Sequence, residues 1–286
     1  MAKGRELVGR IKTTENTRKI TRTLEMVATS KMKRAVDRVI AARPYANALS
    51  DVIARLYSPE LATDFPLLRQ PEAERRAAVI VMTANRGLAG AFNSNLIREA
   101  RLLVARLEQA GTQVDLHVMG RKGIGYFRYV GRAMVAQRTD IGDRPTATDA
   151  ASLVDAPMTA FAAGEIDAVY LVHANFKSVV SSPATTVKIL PVTPPAAQAG
   201  ARDYLLYPSA ADILSDLLPA YVRNAVYRAL VETFAGFYST QRTAMKNATD
   251  NAGEMLTVLR RTYNRARQAN ITQEIAEIVG GAAALD

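Results

Sequence analysis

Apolar residues recur every three or four positions over the first 40 residues of the chain. The positions in this pattern are Leu7, Ile11, Ile20, Leu24, Val27, Val36 and Val39. Such spacing predicts a helix from Lys3 to at least Ala42. A kink or boundary is expected at Arg43, because a residue before proline is disfavoured in helical geometry. The helical pattern then resumes and ends at Ser58, before Pro59.

The other end of the chain predicts an even longer helix, over residues 212–284. Between residues 219 and 280 only Gly236 and Gly253 weaken it, and no proline interrupts it. At about 1.5 Å per residue this stretch would be roughly 90 Å long. A helix of that length needs a partner along most of its course, and the first helix supplies one.

The sequence between these helices has a different pattern, with short β-branched runs, glycine turns and two helical segments. The strand-like runs are residues 77–82, 114–119, 168–173 and 185–191, and the helical segments are 93–109, with Asn93 as a plausible cap, and 147–163. Alternating strands and helices predict a βαβ domain with a mostly parallel sheet. Proline-rich stretches at 59–76 and 191–200 are predicted linkers or loops.

Together these patterns predict an α/β protein in which a long antiparallel coiled coil of the N- and C-terminal helices carries an inserted Rossmann-like α/β domain. The predicted bounds are 1–58 for the first helix, 77–195 for the α/β domain and 208–286 for the last helix.

Composition and charge narrow the classes of function. The absence of cysteine excludes disulfides, thiol catalysis and cysteine metal sites, and two histidines make a histidine metal cluster improbable. The net charge is +10, with eleven basic and four acidic residues in the first 40. The first helix therefore presents a basic face, which suits an acidic partner or is a solvated surface. No apolar run is long enough to span a membrane or follows the basic start as a signal core, so we expect a cytosolic chain.

Several possible sites have simpler structural interpretations. The loop at 85–90 follows a predicted strand, where such domains hold phosphate, but it lacks the full glycine pattern and a Gly-Lys-Ser/Thr sequence. A tight turn is the simpler interpretation of this loop and of residues 120–125. His117 and His173 lie in strand runs without catalytic companions. We therefore expect neither a catalytic site, nor a cofactor, nor a metal.

The last helix carries a more informative group near its end. Residues 260–273 combine arginines with side-chain amides, which suit recognition of carboxylates and carbonyls on a surrounding partner. An apolar stripe follows, formed by Ile271, Ile275, Ile278 and Val279. A terminus this apolar is expected to be covered by something other than this chain.

Both ends of the sequence resemble a known family. IKTTENTRKITRTLEMVATSKMKRA (11–35) and YNRARQANITQEIAEIVGGAAAL (263–285) resemble the terminal signatures of the gamma subunit of rotary F-type ATP synthases, and TAMKNATDN (243–251) and NRGLAG (85–90) fit as well. The resemblance implies a non-catalytic central stalk that transmits torque. Its terminal helices would turn inside an alpha3-beta3 hexamer, and its α/β domain would meet the epsilon subunit and the membrane c-ring. It also implies a peripheral location on the cytoplasmic face of a bacterial inner membrane.

The resemblance also implies residue roles. Contacts with the beta subunits map to Leu24, Arg267, Gln268 and Thr272, and the foot that meets epsilon and the c-ring maps to Lys31, Lys33, Arg34 and Tyr204. The chain departs from the family pattern in three places: Leu24 replaces a usual methionine, Thr240-Gln-Arg242 shifts an arginine by one position, and Tyr207 replaces a usual acid.

Two alternatives from other classes remain at this point. A nucleotide-dependent enzyme would use Gly87 to Gly90, and ATP or NAD binding would reveal it. A basic coiled-coil nucleic-acid binder would show salt-dependent affinity for duplex DNA. The basic helix lacks the interleaved aromatic residues that such a binder often carries, so we expect no nucleic-acid partner. For a central-stalk subunit we also expect no direct small-molecule substrate.

Overall fold

The computed structural model describes residues 2–56, 65–193 and 209–283. Two long helices, α1 (Ala2–Leu56) and α5 (Ala210–Ala283), flank the remaining elements in the sequence. Between them lie a short 3-10 helix (Pro66–Leu68), β1 (Arg76–Met82), α2 (Phe92–Gln109), β2 (Gln113–Met119), α3 (Arg121–Tyr129), β3 (Ala136–Arg138), α4 (Ala147–Ala162), β4 (Ala168–Ala174) and β5 (Ala184–Leu190). Both predicted terminal helices are confirmed, and α1 continues through Pro44.

The five strands form one sheet in the order β3-β2-β1-β4-β5. Strand β1 pairs in parallel with β2 and β4, β2 pairs in parallel with β3, and β5 is antiparallel to β4. Every residue from Ala77 to Met82 is buried. A continuous apolar run is expected for a central parallel strand that is covered on both faces. The predicted mostly parallel sheet is confirmed.

The N-terminus of α2 differs from the prediction. Its N-cap is Ala91, without a side-chain cap, and Asn93 lies inside the first turn. The Asn93 Oδ1 atom instead accepts a hydrogen bond of 2.9 Å from the Ala84 backbone N–H. Asn93 therefore ties the loop after β1 to the helix. Helix α4 begins at Ala147, as predicted. Thr146 and Asp149 form a capping box at this start.

Two elements are absent from the sequence prediction. Helix α3 occupies residues that were predicted as a glycine turn, and β3 is a three-residue strand at the sheet edge. Gly123 faces Thr83 and Val118, whose atoms would lie within 3.0 Å of an added Cβ atom. The glycine is there for close packing of α3 on the sheet and does not end a helix.

Contacts within the chain divide it into two compact units. Unit 1 comprises Met1–Thr29 and Gln241–Asp286, and unit 2 comprises Ser30–Thr240. In unit 2 the sheet shares its apolar core with the second part of α1 and the first part of α5. The buried helix residues of this core include Ala35, Val39, Leu49, Ile53, Leu56, Leu214, Leu218, Val222 and Val226. The predicted domain bounds stay a prediction.

Candidate functional site

Unit 1 is a helix pair with a seam that repeats every three and four residues. On α5 the least exposed positions are Met245, Thr249, Ala252, Leu256, Leu259, Tyr263 and Ala266. On α1 the corresponding positions are Leu7, Ile11, Thr14, Thr21, Leu24 and Ala28. Alternating spacings of four and three residues are the signature of a coiled coil. Small and hydroxyl residues in the middle of this seam let the two backbones approach closely.

Cross-helix contacts show that the pair is antiparallel. The Thr249 hydroxyl donates to the Thr21 hydroxyl at 2.8 Å, and Arg260 pairs with Glu15 at 2.5 Å. The contacting position on α5 therefore moves toward the C-terminus as the position on α1 moves toward the N-terminus. The predicted antiparallel pairing of the terminal helices is confirmed.

Part of the apolar pattern on α1 faces away from the seam. Ile20 and Val27 are 60% and 48% exposed, although their helical spacing resembles that of seam residues. Met255 and Val258 on α5 are also exposed. We call these four residues the flank patch. Apolar side chains at regular spacing on an exposed helix are typical of a surface that another protein covers.

The end of α5 lies outside the seam. Every residue from 267 to 279 is exposed, and four of them are the apolar residues Ile271, Ile275, Ile278 and Val279. We call these four residues the tail stripe. In the described part of the chain nothing covers the tail stripe, as the sequence led us to expect.

The four residues that the resemblance assigns to the beta subunits all lie in unit 1. Arg267 and Gln268 are exposed on α5, and Thr272 is one turn further on, with its hydroxyl donating to the Gln268 carbonyl at 3.0 Å. Leu24 is half-buried on α1, within the seam. Arg267 and Gln268 thus lie on the exposed surface of α5, and the Thr272 hydroxyl is engaged within its own helix.

The predicted foot residues differ in their surroundings. Lys33 and Arg34 are exposed on α1. The Lys31 ammonium instead binds the Asp143 carboxylate at 2.5 Å and lies 3.4 Å from the Tyr238 hydroxyl. Tyr204 lies outside the described residues, as does Tyr207. Lys31 therefore has an internal partner that the sequence did not reveal.

The first three backbone N–H groups of α3 have acceptors at the end of β1 and in the loop after it. The N–H groups of Arg121, Lys122 and Gly123 donate to the Asn85 side chain, the Ala84 carbonyl and the Thr83 hydroxyl. These are the donors that would bind a phosphate at the edge of such a sheet. A nucleotide would have to displace all three contacts.

The histidines occupy strand positions, as expected. Burial lowers the pKa of His117, against an opposing effect of Asp115. Burial also lowers the pKa of His173, although Glu232 opposes the shift from 4.0 Å. Within the described ranges no three His, Asp or Glu side chains converge as a metal site requires. Among the same residues, no helix has the length and apolar character needed to cross a membrane.

These features define an α/β protein whose terminal helices pair and present an exposed apolar surface. Residues 3–285 match the ATP synthase family. The chain is 67% identical to the ATP synthase gamma chain of Gemmatimonas aurantiaca, over 100% of this chain and 99% of that one. The chain therefore belongs to the ATP synthase gamma-chain family, which confirms the resemblance.

Solved structures share the fold. A chain from the central stalk and c-ring of the Tetrahymena thermophila mitochondrial ATP synthase aligns with a TM-score of 0.61 and 23% identity, over 80% of this chain and 99% of that one. A chain from the Euglena gracilis mitochondrial ATP synthase gives a TM-score of 0.67 and 17% identity, over 99% and 95% of the two chains. At these identities the likeness concerns the fold.

Proposed function

We propose that this chain is the central-stalk rotor subunit of a bacterial F-type ATP synthase and transmits torque between an ion-driven c-ring and the catalytic beta subunits. Membership in the gamma-chain family supports the role, and so does a fold shared with a chain from a structure of the central stalk and c-ring. We infer that the chain has no catalytic site of its own. The engaged N–H groups at the start of α3 disfavour phosphate binding there, which argues against a nucleotide-dependent enzyme.

The tail stripe is the observation that carries the proposal. Its four apolar side chains are between 47% and 71% exposed, and no other part of the chain that the structure describes covers them. Burying one such side chain is worth about 1.5–3 kcal/mol. A partner that surrounds the end of the helix would bury all four side chains, and this burial would stabilise the complex. An alpha3-beta3 hexamer offers such an enclosure.

The composition of the helix pair suits a shaft that must turn. The flank patch and the tail stripe give apolar contact, while basic residues and threonines share much of the remaining exposed surface of α1. Three beta subunits would meet different faces of the pair at any one angle. At each rotation angle of the pair, the three beta subunits would make different contacts with it. The differences in contact energy would then stabilise a different conformation in each beta subunit. In this mechanism Arg267, Gln268 and Thr272 contact beta subunits near the tip, and Leu24 does so lower on α1.

Unit 2 is the proposed foot. Lys33 and Arg34 add exposed positive charge to its α1 segment, and we assign them with Tyr204 to the contact with the epsilon subunit and the c-ring. Lys31 supports this foot through its ion pair with Asp143 within unit 2. Since the family acts in a membrane-bound complex, we propose that the chain sits on the cytoplasmic face of the inner membrane and is held there by its partners.

Removal of the tail tests the proposal. A chain that lacks residues 271–286 should leave unit 2 folded, because these residues belong to unit 1, but should assemble poorly with alpha and beta subunits or fail to couple ion flow to ATP synthesis. The full chain is the control. Normal assembly and normal coupled synthesis with the shortened chain would contradict the rotor role.

A further inference from the structure

One segment of α5 is buried on every side. All eleven residues from Ala229 to Ser239 are buried, and all of them belong to unit 2. A helix at the surface of a domain normally buries only one stripe. We call residues 229–239 the gripped segment, because none of its faces is exposed.

The sheet holds one side of the gripped segment. The Ala174 N–H donates to the Thr233 hydroxyl at 3.3 Å. Gly236 lies so close to the β4–β5 hairpin that an added Cβ atom would come within 3.0 Å of Ser182 and 3.3 Å of Ala174. The helix backbone itself is therefore in contact with the hairpin.

Aromatic rings hold a second side. The Phe237 ring packs edge-to-face on Phe92 of α2, with centroids 5.6 Å apart, and on Tyr238, at 5.1 Å. Such pairs favour defined ring orientations. A rotation of α5 about its axis would have to break the contact between Phe237 and Phe92, whereas Tyr238 turns with the same helix.

A polar cluster closes the third side and includes α1. Asp143, in the loop between β3 and α4, accepts from the Lys31 ammonium at 2.5 Å and from the Tyr238 hydroxyl. The Asp143 backbone carbonyl accepts from Arg38 at 2.9 Å. The Lys31 ammonium also lies 5.3 Å from the centre of the Tyr238 ring. One loop residue thus joins both long helices.

The ionisation of the cluster agrees with this geometry. Burial raises the pKa of Asp143, but hydrogen bonds from Lys31 and Tyr238 outweigh burial and the net pKa is lowered. Burial and the hydrogen bond to Asp143 raise the pKa of Tyr238. The cluster therefore consists of a carboxylate, an ammonium and a neutral phenol, which is the arrangement that its hydrogen bonds require.

We propose that Asp143 is a positioning residue for torque transfer, because it locks α1 and α5 to the α/β body at the place where the gripped segment ends. The proposal rests on the rotor role. Under load, the gripped segment resists rotation of α5 within unit 2. The Asp143 cluster makes α1 rotate together with α5, because Asp143 is bonded to both helices. Without the cluster, part of each rotation would be lost as slip between the helices and the body.

The test compares ATP hydrolysis with ATP-driven ion pumping in the same inverted membrane vesicles that contain the complete synthase. The variants are Asp143→Asn and Tyr238→Phe, with Asp143→Glu as the conservative change. Asp140→Asn is the matched control, because Asp140 lies in the same loop but its side chain pairs with Arg138 at the surface. Pumping is followed both by a pH-sensitive dye and by uptake of labelled sodium.

We expect Asp143→Asn and Tyr238→Phe to lower the number of ions pumped per ATP by about threefold. The loss of one hydrogen bond shifts an equilibrium by about this factor, here the equilibrium between helices that turn with the α/β body and helices that slip against it. Asp143→Glu should restore part of the ratio, and Asp140→Asn should leave it unchanged. A purely structural role would lower hydrolysis and pumping in proportion to the amount of assembled complex, without changing their ratio, and would overturn the inference.

Two outcomes separate this inference from the proposed function. If the unmodified chain gives hydrolysis without any coupled pumping, the rotor role itself is wrong. If the unmodified chain couples and both variants couple equally well, only the role of Asp143 is wrong. Should Asp143→Asn fail to assemble, Tyr238→Phe decides the matter, since it removes a single hydroxyl and keeps the ring contacts.

Discussion

The Thr249 hydroxyl donates a hydrogen bond of 2.8 Å to the Thr21 hydroxyl, and Thr21 in turn donates to the Arg18 carbonyl at 3.1 Å. Both threonines are buried in the seam of the helix pair. A buried polar pair between coiled helices fixes their register, because a slipped alignment leaves polar groups opposite apolar ones. This pair therefore sets the alignment of α1 and α5 in unit 1.

Replacement of these threonines should show coupling between them. We expect Thr21→Val and Thr249→Val each to lower the free energy of unfolding by about 0.5–1.5 kcal/mol, the usual value of one hydrogen bond. The double variant should lose clearly less than the two losses together, because each single variant already loses the one hydrogen bond that joins the two side chains. Urea unfolding of the four proteins measures this.

The surface ion pair of the same unit supplies the comparison. Glu15 and Arg260 are 37% and 62% exposed, so Glu15→Gln should cost less than about 1 kcal/mol. Fully additive losses for the two threonines, or a larger loss for Glu15→Gln, would mean that the threonine pair does not set the register.

Gly120 is required where α3 begins. Its φ is +96°, and an added Cβ atom would lie 2.1 Å from the Thr83 carbonyl oxygen. Gly120→Ala should therefore lower the free energy of unfolding by more than about 2 kcal/mol, since the strained backbone alone costs about 1–3 kcal/mol.

Gly125, four residues into α3, is the matched control. No atom would lie within 4 Å of its added Cβ atom, so Gly125→Ala should raise the free energy of unfolding by about 0.5–1 kcal/mol through helix propensity. Equal effects of the two substitutions in a urea titration would contradict this account of α3.

The same helix explains where sequence reasoning failed. Long elements are predictable, because tens of residues without proline leave helix as the simplest choice for α1 and α5, and the apolar runs of β1 and β4 fit buried strands. Helix α3 contains Gly123 and Gly125, and local propensity alone favours a turn there. Packing of α3 on the sheet outweighs that propensity, and packing cannot be read from local sequence.

The candidate site was only partly predictable for a related reason. The tail stripe follows from its spacing and composition, but the seam does not. Ile20 and Val27 have the spacing of seam residues and are exposed, while the more polar Thr21 is buried. The partner of Lys31 also escaped prediction, because Asp143 is distant in sequence and lies in an irregular loop.

Acid should destabilise unit 2 through His173. Burial lowers its pKa in the folded chain, whereas the unfolded value stays near 6.5. Between the two pKa values the unfolded chain binds more protons, so the free energy of unfolding falls as the pH drops below about 6.5, by at most about 1.4 kcal/mol per pH unit. Below the folded pKa this effect stops growing.

The variant His173→Gln should flatten this part of the profile of unfolding free energy against pH. His117→Gln is the companion variant, because burial shifts the pKa of His117 in the same direction and its removal should flatten the profile independently. A profile that His173→Gln leaves unchanged between pH 7 and pH 5 would show that His173 does not contribute.

The tail stripe should matter to the complex and not to the free chain. Ile275 and Ile278 are 56% and 71% exposed, so Ile275→Ser and Ile278→Ser should change the unfolding free energy of the free chain by less than about 0.5 kcal/mol. In the complex the same changes should weaken association with alpha and beta subunits, because each removes apolar area that the partner buries. Val180→Ser, at a 92% exposed position of unit 2, is the control. Retention of full association by the isoleucine variants, measured by co-purification at increasing salt and dilution, would argue against burial of the tail.

Rotation of the chain inside its partners tests the central claim most directly. Because the sequence has no cysteine, Val180→Cys creates a unique attachment point on unit 2. A bead is fixed there, the alpha3-beta3 hexamer is immobilised, and the bead is followed in a light microscope while ATP is supplied. The rotor role predicts repeated turns in one direction, with three pauses per turn for three beta subunits. Random wobble of the bead, in complexes that hydrolyse ATP, would contradict it.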